Sequence, residues 1–211
     1  MKILFYGDSI TDMGRNRDEN AQEIWRYGSG YPFVVASELF RENPLKHTLL
    51  NRGISGNRIV DLYARLKEDV WNEQPDVLSI LIGINDIWHE AAWKRGVDIE
   101  RWERIYRMMI EDTLKRLPDL KIIICEPFVL YSPLIDDVYP KLKGVNEYAR
   151  VAEKLAAEYG LYFLPLQKKF DEAAAKYGVT PYLFDGVHPM IAGATLIADE
   201  WVKLFREKIE K

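Results

Sequence analysis

The chain has 211 residues, of which 48% are hydrophobic and 29% charged, with a formal net charge of -4. That length suits one domain, spanning 1–211, able to bury roughly 70% of the surface its unfolded chain exposes. An acidic chain with no block of Lys and Arg excludes a basic nucleic-acid footprint and an anionic-membrane patch.

The only cysteine is Cys125, so no intrachain disulfide can form. It ends the apolar run 121–125 and reads as a small buried hydrophobe, not a nucleophile. The apolar stretch at the amino terminus stops at Asp8, too short for a signal peptide or a membrane span. The expectation is a cytoplasmic protein.

In chain order, residues 3–6 read as a buried strand, followed by a Gly/Ser/Arg/Asn-rich loop over 14–30. Pro32 opens a helix running to about residue 42. Residues 47–50 read as a second strand. Leu62, Leu66 and Val70, spaced by four, predict one helix over 59–72, which Pro75 follows. A third strand covers 77–82, and the segment after it, with Trp88, His89 and Trp93, reads as a loop. Trp102, Ile105, Tyr106, Met109, Ile110 and Leu114 predict a strongly amphipathic helix that stops before Pro118. Residues 121–125 are a fourth strand, and 132–134 a loop. A helix over 145–159 ends at Gly160, a suitable cap. Residues 162–164 make a fifth strand. Helices over 170–177 and 191–209 complete the chain.

Five apolar strands alternating with helices predict an α/β fold. It is a three-layer α/β/α flavodoxin-like sandwich around a five-stranded parallel sheet. Sites in such sheets form at the carboxyl ends of the strands. Four short sequences fall at those ends or before the last helix. They are Gly7-Asp8-Ser9-Ile10-Thr11, Asn51-Arg52-Gly53-Ile54-Ser55-Gly56-Asn57, Gly83-Ile84-Asn85-Asp86 and Phe184-Asp185-Gly186-Val187-His188-Pro189.

Singly each reads as a turn or a helix cap. Together they hold the parts of an acyl-transfer site. A serine hydroxyl needs a base to take its proton. Of the three histidines, His47 lies at the wrong edge of the sheet and His89 is a rival. His188 has Asp185 three residues before it, a spacing that lets a carboxylate hold Nδ1 and leave Nε2 for Ser9. The backbone N–H groups of Ser9 and Gly53 and the side-chain amide of Asn85 are the expected oxyanion donors.

These four blocks, in this order, resemble the SGNH-hydrolase (GDSL esterase) superfamily. The resemblance spans the whole chain and implies Ser9 as nucleophile, His188 as base and Asp185 as its orienting acid. Ser9, Gly53 and Asn85 would form the oxyanion hole in an open, shallow site. It implies neither a metal nor an organic cofactor. The Gly-x-Ser-x-Gly elbow of the α/β-hydrolases is absent, since Thr11 stands at the second glycine position.

The second and third blocks, and Asp185 to Pro189, also resemble the intracellular acetylxylan esterase branch. That resemblance implies removal of O-acetyl groups from xylan-derived sugars. Phe184 departs from the tryptophan this branch can carry there. Trp25, Tyr27, Trp88 and Trp93, with Tyr31, are the expected sugar platform, or equally a contact within a homo-oligomer. Arg15, Arg17 and Arg58 read as solvated loop charges rather than substrate ligands.

Two other readings compete. A lipid-directed hydrolase of the same superfamily, a lysophospholipase or thioesterase, would need a long apolar groove beside the motifs. A non-catalytic nucleotide- or flavin-binding module would need a phosphate-cradling loop. Neither Gly-x-Gly-x-x-Gly nor a Walker loop follows a predicted strand.

Overall fold

The computed structural model describes residues 1–210. Its strands are β1 (Lys2–Gly7), β2 (Thr48–Asn51), β3 (Val77–Leu81), β4 (Lys121–Cys125) and β5 (Tyr162–Leu164). All pair in parallel, in the order β2-β1-β3-β4-β5. The three-layer α/β/α expectation therefore holds, with the strands where the apolar runs predict them.

Side chains along a strand alternate between faces. Ile3 and Phe5 of β1 and Ile123 and Cys125 of β4 join one buried cluster. Leu4, Tyr6, Ile122 and Ile124 join the other. The first cluster is covered by α3 (Tyr31–Glu42) and α10 (Ile191–Lys208), which pack on each other. The second is covered by α4 (Ile59–Ala64), α6 (Ile99–Arg116) and α8 (Val145–Glu158). The buried Ser79 of β3 is explained by its partner, because its Oγ accepts the indole N–H of Trp201 at 2.9 Å.

Three stretches differ from expectation. The helix predicted over 59–72 is broken. It runs as α4, then continues as a π-helical turn over Lys67–Trp71. The break falls at Arg65, whose guanidinium lies over the Tyr6 ring at 4.3 Å. Arg65 also donates to the Arg52 carbonyl and the Asn57 side chain. Leu62, Leu66 and Val70 stay buried all the same. Spacing by four reports burial, which both conformations satisfy.

The segment after β3 is helical, as α5 (Ile84–Trp93), and not a loop. Gly83, at φ 140°, makes the sharp entry that an apolar-periodicity reading does not register. The loop after β1 contains α1 (Ser9–Asp12) and α2 (Glu23–Arg26), each of a single turn. The remaining helices are α7 (Tyr139–Leu142) and α9 (Gln167–Tyr177), and a 3-10 turn covers Pro133–Ile135. No helix among the described residues is long and apolar enough to cross a membrane.

Strands β1 and β3 are neighbours at the point where the strand order reverses. A crevice at their carboxyl ends is the expected place for a ligand. Ser9 follows β1 directly, and Asn85 follows β3.

Candidate active site

Ser9 is the first residue of α1. A Cβ at Gly7 would lie 2.4 Å from both the Leu81 carbonyl oxygen and Thr11 Oγ1, so the passage from β1 into α1 needs glycine there. Asp8 caps α1 by accepting the Ile10 N–H at 3.0 Å. Met13, in the left-handed region at φ 36°, ends it after one turn. Ser9 is thereby held at a tight corner above the sheet, with its N–H at a helix start, where no intrahelical acceptor exists.

His188 and Asp185 come from the turn before α10. One carboxylate oxygen of Asp185 accepts the N–H groups of Val187 and His188, at 3.0 and 2.8 Å. The other bonds His188 Nδ1 at 2.7 Å. Gly186, at φ 87°, lets this turn sit against the loop after β4. A Cβ there would lie 2.2 Å from the Leu130 carbonyl oxygen. The Leu130 N–H donates to the Gly186 carbonyl at 2.8 Å. The imidazole is thus fixed with Nε2 pointing at Ser9 Oγ, 2.9 Å away.

The electrostatics follow the geometry. The Asp185 hydrogen bond holds the His188 imidazole above its ordinary pKa, against the opposing effect of burial. Burial pushes Asp185 up, but the His188 contacts outweigh it and the carboxyl sits below the usual range. Asp8, fully buried beside Ser9, is raised by burial to about 7. Asp86 is also raised by burial, and accepts the Ile59 N–H at 3.0 Å.

His89 is not brought to Ser9. Its ring packs edge-on against Trp93, with centroids 5.0 Å apart. Burial and the nearby Arg58 and Arg95 lower its pKa. His47 is buried just before β2 and bonds Glu210 at 2.7 Å.

The expectation for Gly53 needs correction. Its N–H is committed to Asn51 Oδ1 at 2.9 Å. The Asn51 Nδ2 donates in turn to the carbonyls of Thr11 and Tyr27, at 2.7 and 2.8 Å. A Cβ at Gly53 would stand 2.4 Å from Asp12 N and 2.7 Å from the Thr11 carbonyl carbon. Glycine is needed here for close packing onto α1, which is a different duty from donating to an oxyanion. Gly56, three residues on, lies at φ 82° on a part-exposed turn with open space around it. Asn85 Nδ2 donates to the neighbouring Asn57 carbonyl at 3.1 Å, which ties this turn to α5 and leaves one amide hydrogen of Asn85 free. The sequence signal for Gly56 was its place in Ser55-Gly56-Asn57, a composition typical of a left-handed turn.

Asp12 was not singled out from the sequence. It is buried and accepts the Ser55 N–H at 2.8 Å, Ser55 Oγ at 3.0 Å and Arg17 Nη2 at 2.7 Å. Arg15 Nε donates to the Gly53 carbonyl at 2.7 Å. Arg58 pairs with Asp61 and donates to the Arg95 carbonyl. Arg15, Arg17 and Arg58 therefore hold loops together; the reading of them as free solvated charges is corrected.

The aromatic residues divide. Trp88 packs near the His188 ring, with centroids 6.2 Å apart. Tyr27 is buried, with its hydroxyl donating to Glu23 and its ring against Phe40, so it offers no surface to a sugar. Tyr31 is buried in α3 against Phe5. Trp93 is at the end of α5, under the Arg95 guanidinium. Trp25 is 63% exposed and lines a separate apolar hollow with Ile24, Phe33 and Ile191.

The sequence profile of the GDSL-like lipase/acylhydrolase family matches residues 5–196. An acetylxylan esterase of Geobacillus stearothermophilus is 33% identical over 207 residues, covering 96% of this chain and 92% of that protein. The crystal structure of that enzyme superposes with a TM-score of 0.85 at 33% identity, over 96% of this chain and 92% of its own. A protein assigned as a GDSL-like lipase from Parabacteroides merdae superposes with a TM-score of 0.90 at 37% identity, over 98% of this chain and 96% of its own. The Geobacillus enzyme has also been solved as catalytic mutants in which a serine, a histidine or an aspartate is changed to alanine.

Proposed function

The chain belongs to the GDSL-like lipase/acylhydrolase family and is an ester hydrolase; from that premise we propose that it removes O-acetyl groups from small carbohydrates, with xylo-oligosaccharides as the substrate class. The observation that carries the chemistry is the unbroken chain of contacts Ser9 Oγ to His188 Nε2 to Asp185, at 2.9 and 2.7 Å.

Ser9 Oγ attacks the acetyl carbonyl carbon while His188 Nε2 takes its proton. Asp185 keeps Nδ1 protonated and stabilises the imidazolium. The carbonyl oxygen becomes an oxyanion, received by the N–H groups of Ser9 and Gly56 and by the free amide hydrogen of Asn85. Asn85 is preorganised by its bond to Asn57, so it reorients little as charge develops. The ester C–O bond then breaks, and His188 gives the proton to the departing sugar oxygen. Water attacks the acetyl-serine with His188 again as base. Acetate leaves, and Ser9 regains its proton.

The carbohydrate reading is supported by the Geobacillus relative, described as an acetyl-xylooligosaccharide esterase. It is supported too by Trp88, an aromatic face beside the base. The test is a comparison of acetate release from acetylated xylo-oligosaccharides with hydrolysis of nitrophenyl esters of increasing chain length. Rapid acetate release and a steep loss beyond short acyl chains are expected. A preference for long chains would instead assign the protein to lipid-directed hydrolysis. Reaction at the cytoplasmic side of the membrane fits the absence of disulfides and is part of the same proposal.

A further inference from the structure

A second, polar pocket of about 270 Å³ lies on the far side of the β2 edge from the rest of the sheet. Leu49, Leu50 and Asn51 line it from the strand, and the loop after α1 and the turn of α2 line it from outside. It holds four arginines against three glutamates, one net positive charge on a chain of net charge -4.

Two of these arginines are paired. Arg52 meets Glu73 at 2.5 Å, and Arg17 meets Asp12 at 2.7 Å. The other two, Arg15 and Arg26, have no carboxylate partner among the described residues. Arg15 spends only Nε, on the Gly53 carbonyl. Burial pulls its guanidinium down to about 10, with Arg17 and Arg52 adding to the effect and Asp12 opposing it. The Nε atoms of Arg26 and Arg52 are both buried with no acceptor. Those two nitrogens are closed off from the pocket, so the donors left for a ligand are the terminal guanidinium nitrogens of Arg15 and Arg26, which bond no group among the described residues.

The rest of the lining narrows the ligand. Glu19 and Glu23 lie in the same wall and would repel a dianion such as phosphate. Carboxylates beside an Asn16 amide are, however, the usual acceptors and donors for sugar hydroxyls. The volume lies just below the usual range of small-molecule pockets, room for no more than one sugar ring. Arg guanidinium recognises a carboxylate through paired N–H groups.

We propose that this pocket, walled by Arg15, Arg26 and Glu23, binds a sugar acid of one ring, a hexuronate, through its carboxylate. Its place in the enzyme rests on the carbohydrate reading above: the ligand would be an acidic sugar accompanying the acetylated oligosaccharide. The Arg15–Gly53 bond gives the pocket a direct link to the loop that carries Gly56.

The test is calorimetric titration of the full-length protein with D-glucuronate, with D-xylose and acetate as controls. Saturable glucuronate binding is expected, at least tenfold tighter than acetate, with none for xylose. Arg26→Met should weaken it at least tenfold while leaving nitrophenyl acetate hydrolysis and the melting temperature unchanged. Arg15→Met provides a second reading should Arg26→Met fold poorly. No glucuronate heat, equal binding of acetate, or unchanged affinity in both variants would overturn the proposal. Binding is read without turnover, so a failure of the deacetylase reading would show separately, as an absence of acetate release from acetylated xylo-oligosaccharides.

Discussion

Asn51 closes a turn on Gly53 by taking its N–H at 2.9 Å, and so separates two glycines that look alike in the sequence. Gly53 is packed against the backbone of α1, whereas Gly56 has open space around it. Gly53→Ala should lose about 1–3 kcal/mol by displacing α1, and most of the activity with it. Gly56→Ala should lose about 1 kcal/mol through its positive φ. Urea unfolding of both variants checks the order. The reverse ranking would undo the assignment of duties.

Ser9→Ala and His188→Ala should each lower kcat by about 10⁴–10⁶ without changing the melting temperature. His89→Ala should stay within a few-fold of the wild type, because its ring faces Trp93 and not Ser9. Steady-state kinetics with nitrophenyl acetate separates these. A fatal His89→Ala with a harmless His188→Ala would move the base.

Asp185→Asn tests the pairing through pH. The base must be neutral, so kcat/KM rises with pH through the His188 pKa, which the Asp185 hydrogen bond raises above its ordinary value. In Asp185→Asn that support is gone and burial, opposed only by the smaller effect of Asp8, lowers the pKa. The acid limb should move to lower pH while the plateau kcat falls by about 10⁴. An acid limb that stays in place would mean that Asp185 does not set the base.

Asp8 carries a stability cost that depends on pH. Its folded pKa, about 7, lies above its unfolded value of 3.8. The folded state therefore binds the proton more tightly. The contribution is full below the unfolded value and is lost as pH rises towards the folded one. Asp8→Asn keeps the cap to Ile10 and removes the charge. Between about pH 5 and 7 the wild type should lose about 2–3 kcal/mol relative to this variant. Parallel stability curves for the two proteins would contradict this.

Much of this was legible in the sequence, for reasons that differ from residue to residue. The run 121–125 is apolar throughout because β4 is covered on both faces, and such runs announce themselves. Ser9, His188 and Asp185 stand out in the sequence because acyl transfer needs three residue types and few positions at the strand ends supply them, and the fold brings the three within hydrogen-bond distance. That the Gly53 N–H is taken while Gly56 stands open is hidden in the sequence, because the difference lies in which N–H has an acceptor. Tyr27 departs from the sequence expectation for a related reason. An aromatic residue in a loop after a strand end is usually near the surface, but here Asn51 anchors its carbonyl and α2 folds it inward. α5 is hidden from an apolar-periodicity reading because its apolar positions are interrupted by Asn85 and Asp86.

Ser9 and His188 stand 179 positions apart. During synthesis Ser9 leaves the ribosome early, and His188 follows only when nearly all of the chain has been made. The strand that carries Ser9 waits too, since β1 is an inner strand whose two neighbours, β2 and β3, come later. A chain released before His188 has been made lacks the proposed base, however well its first half has folded. Ester hydrolysis that depends on this pair would therefore count only molecules whose synthesis has reached His188.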